Sequence, residues 1–556
     1  MRNSANDGWI DLRTLTGGIT SSADATINSI TVGKGANSVS NNTVLGEGAL
    51  DASVSGNDNT AIGKNALTAL TSGANNVAVG SSALDTVTTS NNLVAIGKGA
   101  LKNTTGGSNT AVGKDALEAN TSGVQNAAIG TDALTANTTA NNNTAVGNAA
   151  LTANTTGSSN TAVGANALDA NTTAANNTAV GAAALGANTT GANNTALGHG
   201  CMDVNTTGGN NVAVGYQAMD ANSTGSLNTG IGYNALGGNS TADENTAVGS
   251  FCLSSNTTGS VNTAVGAKAL STNATGSSNT AIGFEALQMN TGDNNTACGK
   301  RALEENTTAD NNTAVGKDAL TTNTTGTQNV AVGSLALDAN TTADSNTAIG
   351  YSSLGANTTG ANNTGLGHSS LFNNTTASNN TAIGYIALSS NTTGAFNVAV
   401  GALALDANTT ANNNTAVGES ALTDNTTGAN NTGVGYNSLG DNTTGTQNTA
   451  VGANALDANT TGNYNVALGK NALTASTTGN DNTGLGWNSL GANTTGGENT
   501  AVGFGCLQLN TTGTENTAVG RTALRSNTSG DDNVAIGREA LGENTTASNN
   551  TAVGHQ

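Results

Sequence analysis

At 556 residues a chain ordinarily holds several globular domains, but 2% aromatic residues, 9% charged residues, no proline and 75 glycines leave too few bulky side chains for such cores. A net charge of −20 and a pI near 4.2 exclude nucleic acid and anionic membrane surfaces as electrostatic partners. No apolar run approaches the ~18 residues of a membrane span, so membrane insertion is not expected.

Residues 1–42 differ from the rest of the chain and are expected to form an N-terminal cap or connector. Trp9-Ile10-Asp11-Leu12 reads as a short strand closed by Gly17-Gly18. The stretch from Ala25 to Gly33 alternates apolar and polar residues and reads as one further strand. The opening residues carry no signal-peptide pattern, which fits release without a secretion signal or a piece of a longer product.

Residues 43–556 are one repeat, typified by Asn160-Thr161-Ala162-Val163-Gly164-Ala165-Asn166-Ala167-Leu168-Asp169-Ala170-Asn171-Thr172-Thr173. Its glycine recurs from Gly46 to Gly554 at 17-residue intervals, shortened to 16 only between Gly97 and Gly113 and between Gly283 and Gly299. So strict a period predicts an all-β solenoid, a parallel β-roll of about 31 short coils. Apolar positions held in phase argue against disorder. The missing proline suits a ladder that needs every backbone N–H. At ~4.8 Å per coil the stack would be roughly 145 Å long.

Taking the NTAVG glycine as column 0, column −4 is Asn except at Leu93, and column +4 is Leu except at Met202 and Met219. Column −3 is Thr or Val with one Ala, and column −1 is Val, Ile or Leu apart from Cys298. Column −2 is Ala, or Gly at Gly230, Gly365, Gly433 and Gly484, with Val44 in the first coil. Side-chain alternation puts −3 and −1 on one face, read here as the coil interior together with Leu +4. The small column −2 then points outward, where Ala and Gly would admit another copy of the chain at close range. That predicts a homo-oligomer, most simply threefold; a single-chain solenoid with a flat exposed Ala face is the alternative.

The short intervals are read as a residue missing around column +6 after Ala100-Leu101-Lys102-Asn103, and as a missing Thr at Asn290-Thr291-Gly292. Loops tolerate such changes and registered strands do not, so NTAVGxxAL is expected to be the paired part and DANTTGxN the outer turn. Asn at −4 and +7 should form amide ladders from coil to coil. Column +10 is often Ala, as at Ala174, so positive φ is not compulsory there.

The NTAVGxxAL unit resembles the NSVAIGxxAxA unit of YadA-like trimeric autotransporter adhesin heads, and the 17-residue NTTGxxNTAVGxxAL form resembles repeats of bacteriophage tail-fibre proteins. Met1-Arg2-Asn3-Ser4-Ala5-Asn6-Asp7-Gly8-Trp9-Ile10-Asp11-Leu12 is similar to tail-fibre segments that precede a distal shaft. The resemblance covers about nine-tenths of the chain and implies a left-handed, homotrimeric β-roll. It implies a virion tail-fibre shaft that mediates or supports host attachment, with other tail or baseplate proteins bound through the N-terminal segment and a host glycan or protein as receptor. A bacterial surface adhesin or extracellular filament is the alternative, with the cell surface as its location. The coil is longer than the adhesin repeat, no stalk or membrane anchor follows, and the sequence stops mid-repeat at Gly554-His555-Gln556, which fits a fibre fragment.

Column +1 is the most varied. It carries Tyr216, Tyr233, Tyr351, Tyr385, Tyr436 and Trp487, the candidate surface contacts, with Phe284, Phe504 and eight cations including Lys64, Lys300, Arg521 and Arg538. An exposed aromatic column could stack on host sugars; packing at a strand edge or between subunits is the favoured reading, because the rings are scattered rather than clustered at one end. His199, His368 and His555 share this column, too far apart to form a metal site or triad within one chain, and are expected to be solvated.

The cysteines Cys201, Cys252, Cys298 and Cys506 read as small hydrophobes in buried slots. Asp169, Asp203, Asp220, Asp338, Asp406 and Asp457 fill column +5 irregularly, without a calcium-repeat pattern. No nucleophile, phosphate-loop or paired-carboxylate motif is present, so no enzyme activity, metal or cofactor is expected. An ice-binding surface is the least favoured reading, because the regular Thr pair at +8/+9 sits in a corner of variable length.

Overall fold

The computed structural model describes residues 24–27 and 29–555. The protein is all-β, a solenoid of stacked coils with one three-residue strand in each regular coil. It divides into two compact units, the first ending at Thr275 and the second beginning at Gly276. The first holds strands β1 (Ala25–Ile27), β2 (Ile30–Gly33), β3 (Thr43–Gly46) and β4 (Thr60–Ile62) through β16 (Thr263–Val265); the second holds β17 (Thr280–Ile282) through β33 (Thr551–Val553).

The stretch Ala25–Gly33 is two strands, not the single one its alternation suggests. Ser29, at φ 67°, turns the chain so that β1 and β2 pair antiparallel. In turn β2 pairs antiparallel with β3, occupying the edge that the parallel stack leaves open. The Asp24 carboxylate fixes the exit from this hairpin by accepting bonds from the Lys34 and Gly35 amides, at 2.6 and 2.7 Å. The strand expected at Trp9–Leu12 lies outside the described residues.

From β3 onward, strands within each unit pair parallel and in register, for example Thr161↔Thr178, Ala162↔Ala179 and Val163↔Val180. Pairing continues beyond the strands: Leu168 donates to the Ala184 carbonyl at 3.0 Å, and Thr172 to that of Thr189 at 3.2 Å. The expected outer turn is therefore laddered as well. Gly164, at φ 141°, shows why column 0 admits only glycine, because a Cβ there would overlap the carbonyl of Gly181 in the next coil.

The two strand faces are the reverse of those expected from the alternation of residue types. Ala162 is fully buried, while Thr161 and Val163 flank it half-exposed, and this pattern recurs in both units. The coil interior consists of Ala −2, Ala +3, Leu +4, the Asn of −4 and +7, and the Gly or Ala of +10. Seventeen residues enclose so narrow a core that the strand can contribute only a methyl group. The small face is therefore not available to another copy, and the larger Val, Ile and Leu side chains point out.

Three residues per regular coil adopt left-handed backbone, as at Asn166 (φ 57°), Leu168 (φ 52°) and Asn176 (φ 61°). For a bulky residue such as Leu this costs about 1–2 kcal/mol. The same conformation buries the Leu side chain completely, which returns about 1.5–3 kcal/mol.

Both amide ladders form. At +7, Asn171 Nδ2 donates to Asn154 Oδ1 at 2.9 Å and to the Ala174 carbonyl at 3.1 Å. At −4, Asn143 Oδ1 accepts the Asn160 amide, and Asn160 Nδ2 donates to the Ala174 carbonyl, both at 2.9 Å. Most buried amides thus meet partners along the stack, Asn459 Oδ1 being an exception. In the first coils Leu70, Val87 and Thr104 fill the +7 slot. Thr104 Oγ1 accepts from Asn120 at 2.8 Å and starts the ladder. Because Thr104 holds that slot and Thr105 donates to the next coil as a +8 residue does, the short coil lacks its +9 residue, not one near +6. The glycines of column +10 have no positive φ, in keeping with the Ala that takes their place in other coils.

Candidate contact face

With the small side chains turned inward, columns −3, −1 and +1 form the outward face of each unit. In one coil Leu227, Ile231 and Tyr233 are 55%, 38% and 47% exposed, with Thr229 half-buried between them. No charged residue occurs at −3, −2, −1 or 0, so the middle of this face is uncharged along each stack, a nearly continuous apolar row of Val, Ile or Leu at −1 beside a mostly Thr column −3. Apolar surface of that continuity is uncommon on a monomer and marks contact sites.

Most column +1 aromatics lie exposed in short runs of successive coils, and these runs are spread over both units rather than clustered at one end. In the first unit Tyr216 stacks on Tyr233 at 5.7 Å between ring centroids and on His199 at 5.5 Å, and Phe251 meets Tyr233 edge-on at 4.9 Å. In the second, His368 lies between Tyr351 at 5.2 Å and Tyr385 at 5.5 Å. Trp487 stacks on Phe504 at 4.7 Å, and the Arg521 guanidinium covers that ring at 5.7 Å. Tyr436 has no ring partner among the described residues. His199, His368, Phe251 and Phe504 thus belong to the candidate set. Except for Phe251, one column beyond, the signal was their adjacency in column +1 from coil to coil.

This geometry limits what the column can bind. A sugar ring stacks on an open aromatic face, whereas Tyr216 and Tyr233, only 6° from parallel, turn their faces to each other. The edges face outward, which suits packing against a protein surface better than a glycan platform.

Among the described residues no group of three or more His, Cys, Asp or Glu is placed to hold a metal ion. Burial pushes the thiols of Cys201, Cys252 and Cys506 up to about 12, and the Sγ of Cys252 and Cys506 lie 3.2 and 3.1 Å from the carbonyls of Ala264 and Ala518. These three behave as small hydrophobes, but Cys298, in outward column −1, is exposed. Partial burial raises the Asp338 and Asp406 carboxyls, the latter opposed by the Thr423 hydroxyl. Exposed Glu515 is also raised, chiefly by the like charges of Asp532 and Glu498. No helix among the described residues is long and apolar enough to cross a membrane. The chain matches no known protein family and no curated protein.

Proposed function

We propose that the chain is the structural shaft of a homotrimeric fibre, of the kind that carries a virion tail's host-contacting end. The observation that carries this reading is the uncharged outward face of Thr/Val and Val/Ile/Leu, repeated on every regular coil of both units. A stack with such a face gains stability by burying it, at about 25 cal/mol per Å² of apolar surface. Three copies around one axis bury three such faces in a closed ring. Residues 1–42 serve as the connector to other tail or baseplate proteins in this reading, and the receptor is a host glycan or protein. A bacterial surface adhesin shares the same shaft and differs in what anchors it.

Sedimentation or light scattering tests the assembly: a trimer is three times 53.8 kDa, and a monomer would overturn the reading. Antibodies to the repeat should decorate virion tails; decoration of bacterial surfaces instead would select the adhesin.

A second reading has one observation in its favour. The half-exposed threonines of column −3 lie in line with Val at −1, and the Thr of +9, as at Thr173, is exposed as well. A registered Thr-x-Val array is a candidate ice-binding plane, and thermal hysteresis by the isolated protein would select it.

A further inference from the structure

The outward face has two edges, column −5 before the strand and column +1 after it, and in three of the six coils with an acid at −5 the same coil carries a cation at +1. Asp58 shares its coil with Lys64, Glu515 with Arg521, and Asp532 with Arg538. No coil carries like charges in these two columns. Elsewhere Leu227 shares a coil with Tyr233. Within one chain these partners do not meet, since six residues of extended backbone separate them by up to about 20 Å. Lys64 pairs instead with Glu47 at 3.2 Å, and Arg538 with Glu539 at 3.0 Å, both between exposed side chains. Such pairs contribute little and exchange partners readily. The acids fare worse. Asp481, Glu498, Glu515 and Asp532 occupy column −5 of successive coils, and Glu515 is pushed up by its neighbours' charge.

We infer that copies of this chain pack parallel and in register, with column −5 of each copy against column +1 of the next. This rests on the side-by-side assembly proposed for the shaft and specifies how it is built. Joining two different edges makes a head-to-tail contact, which closes into a ring only when the axial shift between copies is zero. Closure thus sets the register, and the Glu515–Arg521 and Asp532–Arg538 pairs fall level across the interface. The acidic ladder of Asp481, Glu498, Glu515 and Asp532 gains Arg521 and Arg538 along the same stretch.

The test is interchain cross-linking in the full chain carrying Cys298→Val, with Glu515→Cys and Arg521→Cys in the same molecule. Mild oxidation should convert the trimer into a covalent three-chain species on a non-reducing gel. The pair Glu498→Cys with Arg538→Cys, two coils out of level, should give none. A second measurement covers altered association. Glu515→Arg alone or Arg521→Glu alone should lower the trimer fraction at a fixed concentration at least tenfold, and the two together should restore it. A trimer by mass that fails to cross-link at 515/521, or cross-links equally well at 498/538, overturns this inference and leaves the shaft reading intact. A monomer by mass overturns both.

Discussion

Gly433 lies directly against Ser438. A Cβ added to the glycine would sit 3.0 Å from the serine Oγ and 3.1 Å from its carbonyl oxygen. Gly484 and Ser489 repeat the relationship at 3.1 Å, and Gly365 faces both Ser353 and Ser370. Columns −2 and +3 therefore share one small volume inside the coil. Gly433→Ala should destabilise the protein by about 1–3 kcal/mol through overpacking. Adding Ser438→Ala should recover most of that loss, which thermal unfolding of the single and double variants will measure. If −2 faced outward, the two changes would simply add.

That pairing was already legible in the sequence. Three of the four serines at +3 occur in coils whose −2 residue is Gly, and Gly230 follows the coil of Met219, whose Cγ it would crowd at 2.8 Å. The period, the Leu of +4, both Asn ladders and the tolerant corner could be read from residue types, because each must repeat to satisfy a neighbour. Face polarity could not be read from hydrophobicity, because the apolar residues Val163 and Ala162 compete for the same strand. The narrowness of the coil, a tertiary property, decides for Ala. The hairpin at Ser29 did leave a signal, because the apolar positions shift from Ala25 and Ile27 to Ile30 and Val32, a slip of one residue in the alternation at Asn28-Ser29.

Left-handed backbone at +4 has a test of its own. The column holds Leu and Met but never Val or Ile, as expected where β-branching conflicts with positive φ. Leu168→Met should cost less than about 1.5 kcal/mol. Leu168→Val should cost about 2–4 kcal/mol, combining lost volume with backbone strain. Amide exchange at Leu168 and Leu185 will locate the loosening.

One rung of the +7 ladder is defective. Ser476 replaces Asn, and both its Oγ and Asn459 Oδ1 are buried without a hydrogen-bond partner. Ser476→Asn should restore the donor to Asn459 and stabilise that coil by about 1 kcal/mol, seen as slower amide exchange there than in the parent chain.

The acidic groups predict an inverted pH response. Burial raises Asp338 and Asp406, and Asp532 and Glu498 raise Glu515, so the folded chain holds protons more tightly than the unfolded one. Their contribution to stability is fully present below the unfolded value of about 4 and is lost as pH rises through the folded value. Melting temperature should therefore rise as pH falls from 7 toward about 4. The variant Asp338→Asn with Asp406→Asn should show a flatter profile.

The central claim is that copies of the chain bury the outward strand face, and Cys298 reports on it directly. It is the one exposed thiol among the described cysteines and occupies column −1 of that face. The native protein, sized by light scattering and treated briefly with a maleimide, should be a trimer with Cys298 unlabelled until denaturant separates the chains. A monomer, or a trimer in which Cys298 labels as fast as in the denatured chain, would contradict the account.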